Sequence, residues 1–266
     1  MSNKKASQQS VPPDAYTREY FEVHCEGYEE YKISQGRSLS SRLVAAMDLA
    51  DLKEGMRVLD IGCGRGEILL HSALLGANAW GIDYAPVALE LAKETISLSN
   101  SSSSGRMGLI QSAAEILPFC NSSIDVVFML DVVEHLYPNE LETALTEVKR
   151  VLRPGGRIVV HTMPNLWYYG VGYPLYRILQ GLRGNKLPSN PRLRFNYSHV
   201  HVYEQTPISL YRNLSKIGFK TKVWVKSHQS YGYERNRLVR FGMIILSHLF
   251  PFRYIFANDI FAVAIK

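Results

Sequence analysis

The sequence predicts an α/β fold: a seven-stranded, mostly parallel sheet with helices on both faces. Three observations carry this. Seven short apolar runs lie between residues 57 and 265, several of them rich in β-branched residues. The first five alternate with helical or turn-rich segments, the pattern of βαβ units. The first run also empties into a glycine-rich turn with a helix behind it.

From residue 14 to 53 the spacing is helical. Tyr16, Tyr20, Phe21 and His24 recur at intervals of three and four, as do Leu39, Leu43, Ala46, Met47 and Ala50. Gly55 is expected to stop the second helix. Arg57–Ile61 (RVLDI) reads as a buried strand and Gly66–Leu75 as a helix ended by Gly76. Ala79–Ile82 is a second strand. Pro86–Leu98 is a helix with proline in its first turn, where a missing N–H costs nothing. A polar loop, Asn100–Gly105, leads to a weaker strand over Met107–Gln111. Ile124–Leu130 (IDVVFML) is the fourth strand. A helix over Glu140–Leu152 ends at Pro154-Gly155-Gly156, and Arg157–Thr162 is the fifth strand. Thr206–Ile217 reads as a helix capped by Thr206, Lys220–Lys226 as a strand and Ile260–Ile265 as the last strand. Phe241–Phe256 is strongly apolar and interrupted by Pro251.

The composition is globular, with 46% hydrophobic and 20% charged residues. Cys25, Cys63 and Cys120 form neither a disulfide framework nor a zinc spacing, which points to a reducing, cytoplasmic setting. The polar stretch 1–13 lacks the apolar core of a secretory signal and reads as a disordered tail. No apolar run is long enough for a conventional membrane-spanning helix. The net charge of +6 hides a split: residues 1–147 hold 11 basic and 21 acidic side chains, and residues 148–266 hold 19 and 3. The basic half is expected to face an anionic partner.

The sharpest motif is Asp60-Ile61-Gly62-Cys63-Gly64-Arg65-Gly66, a strand end running into GxGxG. Dinucleotide loops seat a pyrophosphate at the following helix. Asp60 would repel a phosphate and attract an ammonium group, so the expected ligand is cationic. Asp83, at the end of the second strand, suits a ribose diol. Ser112–Phe119 after the third strand could meet an adenine edge.

With these motifs the chain resembles the class I S-adenosylmethionine-dependent methyltransferases, in particular the type 11 small-molecule branch that includes ubiquinone-biosynthesis O-methyltransferases. Leu130–Leu136 (LDVVEHL) and Leu152-Arg153-Pro154-Gly155-Gly156 match the same family over residues 55–162. The resemblance implies a Rossmann-like sheet with an antiparallel last strand and S-adenosyl-L-methionine as cofactor. Gly62, Cys63, Gly64 and Gly66 would line the cofactor. Asp60 would face its amino group, Asp83 its ribose and Tyr84 its adenine, with Ala114, Glu115 and Leu130 completing the set. Ala113 stands where the family often has an adenine-binding Asp. The chain then divides into N-terminal helices (14–54), a cofactor-binding core (55–162), a basic-aromatic insertion (163–203) and a segment completing the sheet (204–266), all in one domain.

The acceptor is read from what surrounds that core. His135 is the candidate general base, since imidazole can take a proton near neutral pH. In part of the ubiquinone branch an acid-x-x-Glu-His set is linked to a divalent metal. Asp131, Glu134 and His135 would be the equivalents, although a metal-free site is expected. His199 and His201 are second-choice bases. Residues 163–203 contain eight aromatic and five basic residues and no acid. With the apolar 241–256 stretch, this composition suits a lipophilic or anionic small molecule and a peripheral membrane contact. A buried helix or a dimer interface would also account for 241–256. A continuous Lys/Arg run is absent, and nucleic acid is not the expected partner. The reading is methyl transfer to a small molecule, with O-methylation preferred. An RNA-directed methyltransferase and a non-catalytic cofactor-binding scaffold are the alternatives.

Overall fold

The computed structural model describes residues 10–99, 104–194, 200–228, 231 and 234–266. Residues 1–9 of the expected tail, most of the 100–105 loop and His199 lie outside them. Ser10 and Val11 are docked: the Ser10 hydroxyl donates to Glu140, and the Val11 carbonyl accepts from Tyr84 at 2.9 Å.

The seven strands are β1 (Arg57–Ile61), β2 (Asn78–Asp83), β3 (Met107–Gln111), β4 (Ile124–Leu130), β5 (Leu152–Thr162), β6 (Lys220–Lys226) and β7 (Asp259–Ile265). They form one sheet in the order β3-β2-β1-β4-β5-β7-β6. The pairs from β3 to β5 are parallel, and β7 runs antiparallel to both β5 and β6. The strand order reverses beside β1, so β1 and β4 leave a crevice at their C-terminal ends, where open α/β sheets bind ligands.

Helices α1 (Tyr28–Ser34) and α2 (Ser41–Ala50) precede β1. The helix expected from residue 14 is replaced by short turns at Pro13–Ala15 and Tyr20–His24. Tyr16 and Phe21 are instead buried against Ala85, Ala88 and Leu91, and Gly27 in a left-handed conformation breaks the chain before α1. Helix α2 stops at Asp51, itself left-handed, before Gly55 is reached. α3 (Glu67–Leu74) and α4 (Pro86–Ser99) follow β1 and β2. α5 (Pro138–Val151) starts two residues earlier than its apolar spacing implied. There Pro138 takes the first position and the Glu140 carboxylate accepts the Tyr137 N–H at 2.7 Å. β5 starts earlier too, because Leu152 already pairs with Ile124 and a bulge absorbs the proline-glycine turn.

One apolar layer joins the sheet to α5 and to α7 (Pro207–Lys216) through Leu141, Leu145, Leu210 and Leu214. The other joins it to α2, α3 and α4 through Leu43, Ala46, Leu69 and Ala92. Thr206 caps α7 as expected: its hydroxyl accepts the Ser209 N–H at 2.9 Å, and the Ser209 hydroxyl accepts the Thr206 N–H at 2.8 Å. The 163–203 insertion contains α6 (Tyr173–Leu182). The apolar 241–256 stretch falls into α8 (Arg237–His248) and α9 (Arg253–Phe256), parted around Pro251. Among the described residues, no helix is long and apolar enough to cross a membrane.

Candidate active site

The site is built where β1 ends. The amides of Gly62 and Cys63 donate to the Ile82 carbonyl at 2.8 and 3.1 Å, which ties the loop to the end of β2. Gly62 has φ +70°, and a Cβ there would lie 2.5 Å from Val132 Cγ2. Both facts require glycine. Gly62→Ala is expected to destabilise the protein by about 2 kcal/mol through overpacking and left-handed strain. An unchanged thermal midpoint would count against this account of the turn.

Asp60 and Asp83 flank the loop and both are buried. The Asp83 carboxylate accepts the Gly64 N–H at 3.2 Å and the Ala85 N–H at 3.0 Å. Burial pushes Asp83 up to about 6, and those amides only partly offset it. Burial, then the Asp83 and Glu67 carboxylates, push Asp60 well above the usual range. Two buried acids in one cavity destabilise each other's charge, and a cationic ligand would relieve both. The donor set therefore fits a sulfonium-ammonium cofactor with a ribose diol and does not fit a pyrophosphate.

One cavity collects these groups. Asp60, Gly62, Cys63, Gly64, Asp83 and Tyr84 line it, as do Ala114, Glu115, Leu130 and His135. Gly66 is not among the lining residues. It opens α3 with φ +79°, and a Cβ there would come within 3.0 Å of the Ala92 backbone. It packs α3 closely on α4. Tyr84 is fixed by its bond to Val11 and by an edge contact with Tyr16 at 5.6 Å.

Sequence reasoning missed the wall facing the sheet. Tyr16, Tyr20, Phe21 and Cys25 line the same cavity, so the N-terminal segment covers it. Their aromatic spacing was the available signal, but it resembles that of a helix face. Arg65, inside the glycine loop, fastens this cover. Its guanidinium donates to the carbonyls of Phe21 and Glu26 at 2.9 Å each and pairs with Glu67. It also stacks 5.1 Å from the Tyr31 ring centre.

Beyond β4 lies a second set of polar groups. Asp131 lines the cavity, adopts φ +55° and is bound by Arg42. Its other oxygen meets His161 Nδ1 at 2.6 Å, and His161 Nε2 meets Asp259 at 3.1 Å. Burial opposes the Asp131 charge, but Arg42 and His161 outweigh it and hold the carboxyl well below the usual range. Burial likewise opposes the His161 charge, yet Asp131 and Asp259 raise it to about 10. Glu134 is not among the lining residues; it accepts from Thr162 Oγ1 at 2.8 Å. Burial and then Asp131 push it up to about 7.

His135 reaches the cavity with Nδ1 3.0 Å from the Val200 carbonyl and Nε2 3.5 Å from the Tyr20 hydroxyl. The carbonyl can only accept, so Nδ1 carries the proton and Nε2 presents a lone pair. Burial, then His201, push the ring down to about 3, so it is neutral near pH 7. Glu134, His135 and His201 each bring one ligand-type atom within 4.8 Å of the others. Asp131, the acid of the acid-x-x-Glu-His set, is not part of that group and is engaged by Arg42 and His161 instead.

A model of the methyltransferase domain family matches residues 59–160. Over this segment, less than half of the chain, the sequence is similar to that methyltransferase domain, and the sheet order agrees with the Rossmann-like fold that the resemblance implied. The chain is 33% identical over 113 residues to a sterol 4-C-methyltransferase of Caenorhabditis elegans, covering 42% of this chain and 33% of that one. It is 36% identical over 110 residues to a ubiquinone biosynthesis O-methyltransferase of Cereibacter sphaeroides, covering 41% and 42%. The chain thus spans well under two thirds of these relatives. Among solved structures, a SAM-dependent methyltransferase from Methanosarcina mazei superposes with a TM-score of 0.57 at 21% identity, over 86% of this chain and 98% of that one. That likeness is one of fold.

Proposed function

We propose that the chain transfers the methyl group of S-adenosylmethionine to a small lipophilic acceptor, with an oxygen as the preferred acceptor atom. The observation that carries this is a single cavity with two buried carboxylates and a glycine loop on one wall and Tyr16, Tyr20, Phe21 and His135 on the others. The carboxylates and loop suit the cofactor, and the aromatic walls suit an apolar acceptor. The relatives named for a sterol and for ubiquinone biosynthesis act, by those names, in the chemistry of lipophilic molecules, which supports the same acceptor class.

The bound cofactor supplies an electrophilic methyl on a sulfonium. The chain's own residues position and deprotonate. Asp60 and Asp83 orient the cofactor's amino and ribose groups. The cover excludes water. An acceptor hydroxyl at His135 Nε2 would take over the place of the Tyr20 hydroxyl and donate its proton there. A ring held neutral is always ready to accept, though burial makes it a weak base, so it best assists a proton already leaving.

Incubation with methyl-labelled cofactor and fractionated lipid extracts, followed by mass analysis of labelled products, tests the acceptor class. Label confined to water-soluble acceptors rejects it, and absence of cofactor binding by calorimetry rejects the enzyme. His135→Asn is expected to lower kcat about a hundredfold while changing cofactor affinity less than about twofold. A lowered thermal midpoint with kcat intact would assign His135 to structure alone.

A further inference from the structure

We propose that α6 and α8 form a docking face for a bilayer containing anionic lipids. Both helices turn an apolar stripe outward. In α6 the inward residues include Tyr173, Tyr176 and Gln180. Leu175, Ile178 and Leu182, spaced along the opposite side, are 51%, 62% and 83% exposed. In α8 the only buried side chain is Ser247. Leu238, Phe241, Ile245 and Leu249 make an exposed stripe at helical spacing. The inner side of α8 also carries the half-buried Val239, Met243, Ile244 and Leu246, so α8 is apolar on both sides and its exposed stripe, like that of α6, is left over for a partner.

The outward orientation is held in place. The buried Glu234 carboxylate accepts from Tyr176 and Arg183 at 3.2 Å each and also from Gln180, all from α6 or its end. The same carboxylate accepts the Asn236 N–H at 2.8 Å, and Asn236 caps α8 by accepting from the Leu238 and Val239 amides. One buried acid therefore joins both helices, and neither can roll its stripe inward without uncovering it.

Charge selects the occupant. No acidic residue occurs from 163 to 203 or from 235 to 258. Arg177, Lys186, Arg235 and Arg237 are exposed on or beside the two helices. A second copy would bring like charge against like. A nucleic acid would match the charge and leave the aliphatic stripes in water. A bilayer with anionic headgroups satisfies both, with side chains entering the acyl boundary and arginines at headgroup level. This docking does not depend on which acceptor is methylated.

Flotation of the full chain with vesicles of phosphatidylcholine plus phosphatidylglycerol, and of phosphatidylcholine alone, tests it. The chain should float with the anionic vesicles at low salt and far less with the neutral ones. The double variant Ile178→Glu and Phe241→Glu should lose at least about tenfold in binding. Arg235→Gln and Arg237→Gln should each lose about fivefold at low salt and little at high salt. Both sets should keep cofactor affinity and thermal midpoint, since none of these side chains lines the cavity. If the double variant does not fold, the arginine variants decide. Flotation equal to a control protein, or unchanged by the variants, overturns the proposal. So does a dimer that the double variant dissolves without vesicle binding, or salt-sensitive RNA binding in its place.

Discussion

Asp83→Ala is expected to weaken S-adenosylmethionine binding about a hundredfold. A ribose diol gives two hydrogen bonds to a charged acceptor, each worth about 1.5 kcal/mol or more. The loss extends past the ligand, because the same carboxylate accepts the Gly64 and Ala85 amides and so shapes the glycine turn itself. Asp83→Asn should recover part of the turn and little of the affinity, because its amide side presents a donor where acceptors are needed. The pH dependence has a definite sign. Burial raises the free Asp83 to about 6, and the bound diol favours the carboxylate. Affinity should therefore be steady above neutrality and fall as pH drops through about 6. Calorimetry across that range decides it: a flat profile, or a loss below about fivefold in Asp83→Ala, would remove Asp83 from the ribose.

His161→Leu is the second large effect, with an expected loss of about 3–5 kcal/mol in folding stability. His161 is an imidazolium between two carboxylates, 1% exposed, with Asp131 on one nitrogen and Asp259 on the other. Leucine fills similar space but leaves Asp259 buried with the His228 N–H, at 3.2 Å, still donating to it and no cation beside it. Asp131 keeps Arg42. Because the folded-state value is raised from 6.5 to about 10, this group's stabilisation is full below 6.5 and disappears as pH climbs through about 10. Urea unfolding of the native protein should show that decline on the alkaline side, and the variant should lack it. A variant within about 1 kcal/mol of the native protein would mean that the charged triad contributes nothing net.

The sheet was readable because its strands are short β-branched runs separated by glycine and proline, and because a glycine turn after the first run marks the crevice. The cavity wall holding Asp60, the loop and Asp83 was readable for the same reason: these residues lie at strand ends, where position in sequence fixes position in space. Gly66 was the exception, since a motif gives spacing and not which glycine lines the cavity. The cover was hidden because Tyr16, Tyr20 and Phe21 have a spacing that serves a helix or a set of turns equally well. The Arg42–Asp131–His161–Asp259 chain draws on four separate places, and only the β4–β5 and β5–β7 registers together with the packing of α2 on β5 bring its members together. The apolar 241–256 stretch posed another limit. Periodicity shows that a stripe exists, but the side it faces depends on Glu234, which lies outside the stretch.

Arg65 sits between Gly64 and Gly66 and grips the carbonyls of Phe21 and Glu26. The cradle and its roof are thus hinged on one guanidinium. A shift of the loop that loosens a spent cofactor also pulls on the roof, and a lifted roof tugs the loop. On the proposed function, release of the cofactor and entry of the acceptor would share one fastening, the Arg65 guanidinium.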